Sequence, residues 1–167
     1  MAVKVSLGII AYNEEANIGV LLDTVLKDAP RPEVLTEIFV VASGCTDCTE
    51  DIVRGLVKKD SRIKLIVQSE RKGKASAINL FFSATTGDIL ILESTDTVPA
   101  QGTLSRIMAA FDDPEVGMAG GHPVPVNPEY FYRIYRASHV VFAPPDSLGE
   151  AQARVIGRLS GVFLKHT

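Results

Sequence analysis

Val3, Val5, Leu7 and Ile9 alternate with polar or small residues through "VKVSLGIIAY", a period of two that predicts a strand. The period then changes. Ile18, Leu21, Leu22, Val25 and Leu26 lie three and four apart, which predicts a helix with one apolar stripe until "DAPRP" stops it. Asn13 is placed to cap this helix, and Glu14 and Glu15 suit its first turn, where unpaired backbone amides favour negative charge. The same order then returns. "TEIFVVAS" reads as a strand, Asp47 and Glu50 stand at the spacing of a capping box, and Ile52, Val53, Leu56 and Val57 carry a second helix to about Lys59. "RIKLIVQ" is a third strand, and "KGKASAINLFFSAT" a third helix closed by Gly87. "DILILES" is a fourth strand whose apolar character points to a central place in a sheet. Leu104, Ile107, Met108 and Phe111 mark a further helix, and "EVGMAGG" a short fifth strand.

Strands and helices alternating in units of roughly 30 residues predict an α/β fold, with a central, mostly parallel sheet between helices. Ligands of such sheets bind beyond the carboxyl ends of the strands, near the switch point. That directs attention to "AYNEE", "ASGCTD" and "ESTDTVP", each of which follows a strand.

Composition narrows the guest. The chain has 167 residues, 46% of them hydrophobic, enough for one domain with a continuous core. Its 17 Lys and Arg against 20 Asp and Glu leave a net charge of −3, so no basic field invites nucleic acid or an anionic membrane. An anionic ligand must be met by a few placed cations. No apolar stretch reaches the roughly 18 residues that suggest a membrane span. The first strand follows Met1 without a signal-peptide cleavage region, and there are only two cysteines, so the expected setting is the reducing cytoplasm.

The loops carry the chemistry. After the first strand the dinucleotide fingerprint G-x-G-x-x-G is missing, and no G-x-x-x-x-G-K-[ST] occurs. Ala11, Tyr12, Asn13 and Glu14 instead offer a small backbone, an aromatic ring, an amide and a carboxylate, a set able to stack on and hydrogen-bond a base or ribose. Arg71, Lys72 and Lys74 surround Gly73 at a helix start, where amides and ammonium groups suit a diphosphate. The fourth strand ends in Glu93, Ser94, Thr95 and Asp96, and carboxylates at a strand end suit a hard divalent cation shared with that diphosphate. Each feature has a plainer use. Asn13 can serve as a cap, the basic residues can be solvated, and Asp96 can open a turn before Pro99.

Taken together, "AYNEE", a second strand running into G-x-T-D-x-T, "KGKASAIN", and "GDILILESTD" followed by Pro99 resemble the nucleotide-sugar domain of a family 2 glycosyltransferase with the GT-A fold, a Rossmann-like architecture. The resemblance runs from Val3 to about Phe163. It implies an inverting, metal-dependent transfer of a sugar from a nucleotide-diphosphate donor, such as a UDP-sugar, to an acceptor that is a saccharide, a lipid phosphate or a protein. It implies nucleotide contacts at Ala11, Tyr12, Asn13, Glu14 and Ser43, diphosphate contacts at Arg71 and Lys74, further nucleotide contacts at Ser94 and Thr95, and a metal (Mg or Mn) contact at Asp96. Two departures stand out. Ala42 and Ser43 replace a pair of Asp residues common in the family, and Ser94-Thr95-Asp96 stands where D-x-D is expected, with Glu93 one place early and on the opposite face.

The resemblance also implies a general base downstream of the segment that "LSGVFLKHT" resembles, so the base is expected beyond Thr167 and no residue of the chain is assigned that role. On that reading residues 1–121 form the donor-binding part, residues 122–167 begin the acceptor side of the same domain, and the chain is the amino-terminal portion of a longer enzyme. Membrane association is then expected through the portion that follows, at the cytoplasmic face. Tyr130, Phe131, Tyr132 and Tyr135, interleaved with Arg133 and Arg136, offer either acceptor contacts or packing, and Asp146 and Glu150 are no convincing base. His122, His139 and His166 show no nucleophile-base spacing.

Three alternatives have a sequence basis. Ser43 and Ser94, standing where carboxylates are expected, suit a nucleotide-sugar binding module or pseudoenzyme. Cys45 and Cys48 form a C-x-x-C between a strand and a helix, but without the Trp or Pro of a thioredoxin-like site, and one pair is thin for zinc. A nucleotidyltransferase would need a Gly-rich first loop with Arg or Lys, which "AYNEEAN" does not supply.

Overall fold

The computed structural model describes residues 3–29, 34–121 and 161–164. The chain runs β1 (Val5–Ala11), α1 (Ile18–Asp28), β2 (Leu35–Ser43), α2 (Thr49–Val57), β3 (Ile63–Gln68), α3 (Lys74–Ala84), β4 (Ile89–Ser94), α4 (Thr103–Ala109), β5 (Met118–Ala119) and β6 (Gly161–Leu164). The sheet has the order β3-β2-β1-β4-β6-β5. β1 pairs in parallel with β2 and β4, and β2 with β3, while β6 runs antiparallel between β4 and β5. The chain first builds outward from β1 to β3, then returns to add β4 on the other side. This reversal opens a crevice where β1 and β4 end.

Period-two alternation decides which side chain faces which layer. Val5, Leu7 and Ile9 of β1 share one core with Ile38 and Val40 of β2, Ile89 and Ile91 of β4, Ile18, Leu21, Leu22 and Val25 of α1, Val53 of α2 and Leu104 of α4. The other face packs Phe39, Val41, Leu90 and Leu92 against Ala77 and Phe81 of α3. Phe81 lies close enough on β1 that a Cβ at Gly8 would stand 2.7 Å from its ring. A strand glycine here marks close approach of a neighbour rather than a weak strand. β4 is central as expected, flanked by β1 and β6.

Several local expectations give way to contacts distant in sequence. Asn13 does not cap α1: the helix begins at Ile18 with Asn17 at its N-cap, no side-chain cap bond and no acid in its first turn. The Asp47–Glu50 capping box does not form either. Asp47 Oδ1 accepts from the Thr49 amide (3.0 Å) and hydroxyl (2.6 Å), while Glu50 pairs with Arg54 at 2.9 Å. α2 stops at Val57 and α3 at Ala84, short of Lys59 and Gly87. The start of α4 is met by a side chain from another helix, since Asp28 accepts from the amides of Gly102 and Leu104. The strand at Gly161–Leu164 has no counterpart in the periodicity. Four residues are too short for a period to declare itself, and pairing with β4 supplies the reason for the strand.

Among the described residues no helix is long and apolar enough to cross a membrane. His122, His139, His166, Asp146, Glu150 and the residues Tyr130, Phe131, Tyr132, Arg133, Tyr135 and Arg136 lie outside the described residues, as does most of the proposed acceptor side. Thr167, beyond which the general base is expected, lies outside them too, so the position of that base is not among the features the fold displays.

Candidate functional site

A cavity of about 270 Å³ opens where β1, β2 and β4 end beside the first turn of α3. Ala11, Tyr12, Glu14, Ser43, Arg71, Lys74, Ser94, Thr95 and Asp96 all line it, joined by Ile10, Gly73 and Ala77. Residues spread over more than 80 positions thus meet around one hollow. Asn13 alone of the sequence-chosen set is missing from the lining. A second hollow of about 330 Å³, beside Thr103, Arg106, Ile107 and Ala119, holds none of them.

Asn13 works one step back from the cavity. Its backbone takes φ 53°, a left-handed conformation that Asn tolerates better than most residues. Its side chain accepts the Thr46 amide hydrogen at 2.8 Å and donates to the Thr46 hydroxyl at 3.2 Å. Beside it the Glu14 amide donates to Thr49 Oγ1 (2.8 Å), the Glu15 amide to Asp47 Oδ2 (3.0 Å), and the Cys48 amide to Glu15 Oε2 (2.9 Å). These bonds run in both directions between the β1–α1 and β2–α2 loops. They hold Tyr12 and Glu14 in register with Ser43.

The cationic side is built on a ring. The Arg71 guanidinium lies over Tyr12, its central carbon 3.9 Å from the ring centroid, a cation–π contact that orients both groups. Gly44 makes this approach possible: with φ +67°, it leaves the Arg71 amide nitrogen only 2.6 Å from where a Cβ would stand. Lys74 opens α3, Gly73 before it takes φ 84°, and both line the same cavity, so the first turn of the helix, whose amides have no partner within the helix, borders it. Helix amides, an ammonium and a guanidinium together suit a phosphate chain.

The acidic side sits at the end of β4. Ser94 and Asp96 line the cavity with Thr95, whereas Glu93 points to the other face, as strand alternation predicts. Burial pushes the Glu93 carboxyl above the usual range, and the neighbouring Asp96 charge adds to this against the Thr97 hydroxyl and Ser94 amide that bond it. Of the two carboxylates at the end of β4, Asp96 is the one that lines the cavity. Among the described residues no group of three or more His, Cys, Asp or Glu side chains stands ready to enclose a metal. One carboxylate with adjacent hydroxyls still fits a hard divalent ion of the kind that keeps water and takes its remaining oxygens from a diphosphate.

The cysteines are not joined in this setting. Both are free thiols, Cys45 with its Sγ 3.7 Å from the Ala11 carbonyl oxygen and Cys48 exposed. The Glu15 carboxylate, as hydrogen-bond partner and as charge, pushes the Cys48 thiol above its ordinary value, with smaller help from Asp51 and Asp47. A reactive thiolate needs the opposite surroundings.

Gln68 and Ser76 escaped sequence reasoning. Ser43 donates to Gln68 Oε1 at 2.6 Å, and Gln68 Nε2 donates to Ser76 Oγ at 2.9 Å. A polar residue closing an apolar strand, opposite another on the neighbouring strand, was the available signal.

Comparison with known proteins supplies the context for this geometry. The profile described as "Glycosyl transferase family 2" matches residues 6–157. The glycosyltransferase AglE of Haloferax volcanii is 29% identical over 118 residues, covering 71% of this chain and 38% of its own. The probable glycosyltransferase YdaM of Bacillus subtilis is 30% identical over 122 residues, covering 71% and 29%. The chain therefore spans roughly a third of the length of these relatives. Among solved structures, the mannosyltransferase PcManGT of Pyrobaculum calidifontis, in complex with GDP-Man and Mn2+, superposes with a TM-score of 0.68 at 30% identity over 82% of this chain and 39% of that one. S. aureus TarS 1–349 in complex with UDP-GlcNAc gives 0.59 at 25% identity, over 73% and 37%. Its helix-flanked parallel sheet is the GT-A fold of these neighbours. With its cavity at the strand ends and its match over residues 6–157, the chain belongs to glycosyl transferase family 2.

Proposed function

We propose that the cavity binds the nucleotide-diphosphate part of a sugar donor, and that the chain is the donor-binding part of an inverting glycosyltransferase. The observation that carries this reading is the meeting of Arg71, Lys74 and the α3 amides with Asp96 around one hollow at the sheet's switch point. Cations alone would suit many anions. Cations facing a carboxylate suit a diphosphate that bridges to a divalent metal.

In this reading Tyr12, Glu14 and Ser43 hold the nucleoside, Arg71 and Lys74 take the diphosphate oxygens, and Ser94, Thr95 and Asp96 address the ribose and a Mg or Mn ion. When bound, that ion would neutralise charge on the departing diphosphate. Transfer forms a bond from the acceptor oxygen to the anomeric carbon and breaks the bond from that carbon to the diphosphate. The acceptor's proton must go to a base. Glu14 and Asp96 are the carboxylates in the lining and are assigned to nucleoside and metal, so the base is a group outside this cavity. The neighbours' GDP-Man and UDP-GlcNAc make guanine and uracil donors the first to try.

Calorimetric titration with UDP and GDP, each with and without Mn2+, tests the reading on the wild-type chain and on Asp96→Ala. The expected outcome is binding that Mn2+ strengthens about tenfold or more, roughly one well-formed interaction's worth, with that gain lost in Asp96→Ala. Equal affinity with and without metal in both proteins favours the second reading, a binding module or pseudoenzyme, for which Ser43 and Ser94 speak.

A further inference from the structure

We propose that Glu93 is a positioning residue: through the Thr97 hydroxyl it fixes the turn that carries Asp96, so the metal-dependent part of donor binding relies on a carboxylate that touches neither donor nor metal. This inference rests on the reading of the cavity as a nucleotide site where Asp96 and its hydroxyl neighbours suit a hard divalent ion.

β4 ends at Ser94, and the chain turns at once. The Thr97 amide donates to the Ser94 carbonyl oxygen at 3.2 Å, which closes a turn with Thr95 and Asp96 at its two central positions. Thr95 is buried, whereas Asp96 is exposed. Among the described residues no side chain is bonded to the Asp96 carboxylate. The turn alone decides where that group stands.

Glu93 lies one residue before the turn, on the face away from the cavity. By alternation it follows Ile89 and Ile91 of the core shared with α1, and its register partner on β1 is the buried Ile9. A carboxyl group at the head of an apolar row loses solvation that an apolar residue there would not lose. Its bonds reach forward into the turn. It accepts from the Ser94 amide and from the Thr97 hydroxyl, and that hydroxyl also stands 2.8 Å from the Ser94 carbonyl oxygen. Thr97 is thus tied to the end of β4 by its backbone and by its side chain. Without the hydroxyl, the single 3.2 Å backbone bond closes the turn.

A small divalent ion demands near-ideal geometry of its oxygens. Where several carboxylates enclose an ion, one of them can stand slightly out of place; here Asp96 is the one carboxylate at the end of β4 that lines the cavity. A ligand that is ordered only on binding lowers affinity by the entropy of ordering it. The groups that hold a metal ligand therefore govern metal affinity without touching the ion, typically by about tenfold or more. Tyr12, Arg71 and Lys74 come from other loops, so binding without metal is left alone.

The test is titration with UDP and with GDP, each with and without Mn2+, reading as the gain the ratio of the two dissociation constants on one protein at a time. A partly unfolded sample does not imitate a change in that ratio. The wild-type gain is expected to be about tenfold or more. Thr97→Val and Glu93→Leu break the bond from either side and should bring the gain to within about threefold, with affinity in the absence of metal unchanged. Thr97→Ser keeps the hydroxyl and Glu93→Gln keeps an acceptor, and both should retain the wild-type gain. Thermal melting separates this from a merely structural part: Glu93→Leu relieves a buried carboxyl group and is expected to melt no lower than the wild type while losing the gain. A gain retained in either Thr97→Val or Glu93→Leu overturns the inference while the nucleotide site stands. So does a gain lost in Glu93→Gln as fully as in Glu93→Leu, which would assign the effect to charge rather than to the bond. A wild type that binds UDP or GDP with no gain from Mn2+ removes the metal reading, and the inference with it. Binding of neither nucleotide removes the nucleotide reading as well.

Discussion

Gly44 is where a single missing side chain holds the site together. Its φ of +67° already disfavours any L residue, and its neighbour across the gap is the backbone of Arg71, which cannot swing aside. Gly44→Ala is expected to cost about 2 kcal/mol of stability and to lift Arg71 from the Tyr12 ring. Denaturant unfolding reads the first effect, and about tenfold weaker UDP binding the second. An alanine variant of wild-type stability and affinity would show that Arg71 has no fixed place. Asn13 teaches a related lesson. Its residue type suggested a cap, but its left-handed backbone and its partner Thr46, 33 positions on, belong to a bond between loops that no local window contains.

Among the elements, the amino end of the sheet is fastened by Glu37. This carboxylate of β2 is 6% exposed and receives the Ser6 hydroxyl of β1 at 2.8 Å, the Lys64 ammonium of β3 at 2.6 Å and the Thr86 amide at 3.0 Å. Burial alone would raise its pKa, but the bonds from Lys64, Thr86 and Ser6 outweigh it and bring the group down to about 2 from 4.5. A depressed carboxylate stabilises the fold above its unfolded value and loses that contribution as pH falls through the folded one. Stability should therefore decline from about pH 4.5 towards pH 2. The part due to Glu37 is on the order of 2 kcal/mol once solvent screening at the half-exposed Lys64 is allowed for. Urea unfolding at stepped pH should show a shallower acid decline in Glu37→Gln. An unchanged decline would assign acid sensitivity to other carboxylates.

In the molecule as a whole, β6 joins parts far apart in sequence. It lies between β4 and β5, so the strand that delivers Asp96 has a neighbour on both sides. A chain ended after Gly121 keeps every residue lining the cavity but leaves one side of β4 without its ladder. Such an edge, apolar at Leu90 and Leu92, invites pairing between copies. The shortened chain is expected to melt several degrees lower and to scatter light at concentrations where the 167-residue chain stays clear. Equal melting and scattering would mean that β6 contributes little to the donor part.

Periodicity was enough to read the βα order, the parallel sheet, the central place of β4 and the face on which Glu93 lies, because burial repeats every two residues in a strand and every three to four in a helix. It also drew attention to three loops that hold seven of the residues lining the cavity, since strand ends in such folds are where loops converge, while Arg71 and Lys74 stood out as cations at a helix start. Periodicity says nothing about which loops bond to one another. The Asn13–Thr46 clasp, the Arg71–Tyr12 stack over Gly44, the Asp28 bonds to the start of α4 and the Ser43–Gln68–Ser76 relay all join residues by distance in space. Their partners are chosen by how the strands are ordered and registered, and that choice is made when the layers pack.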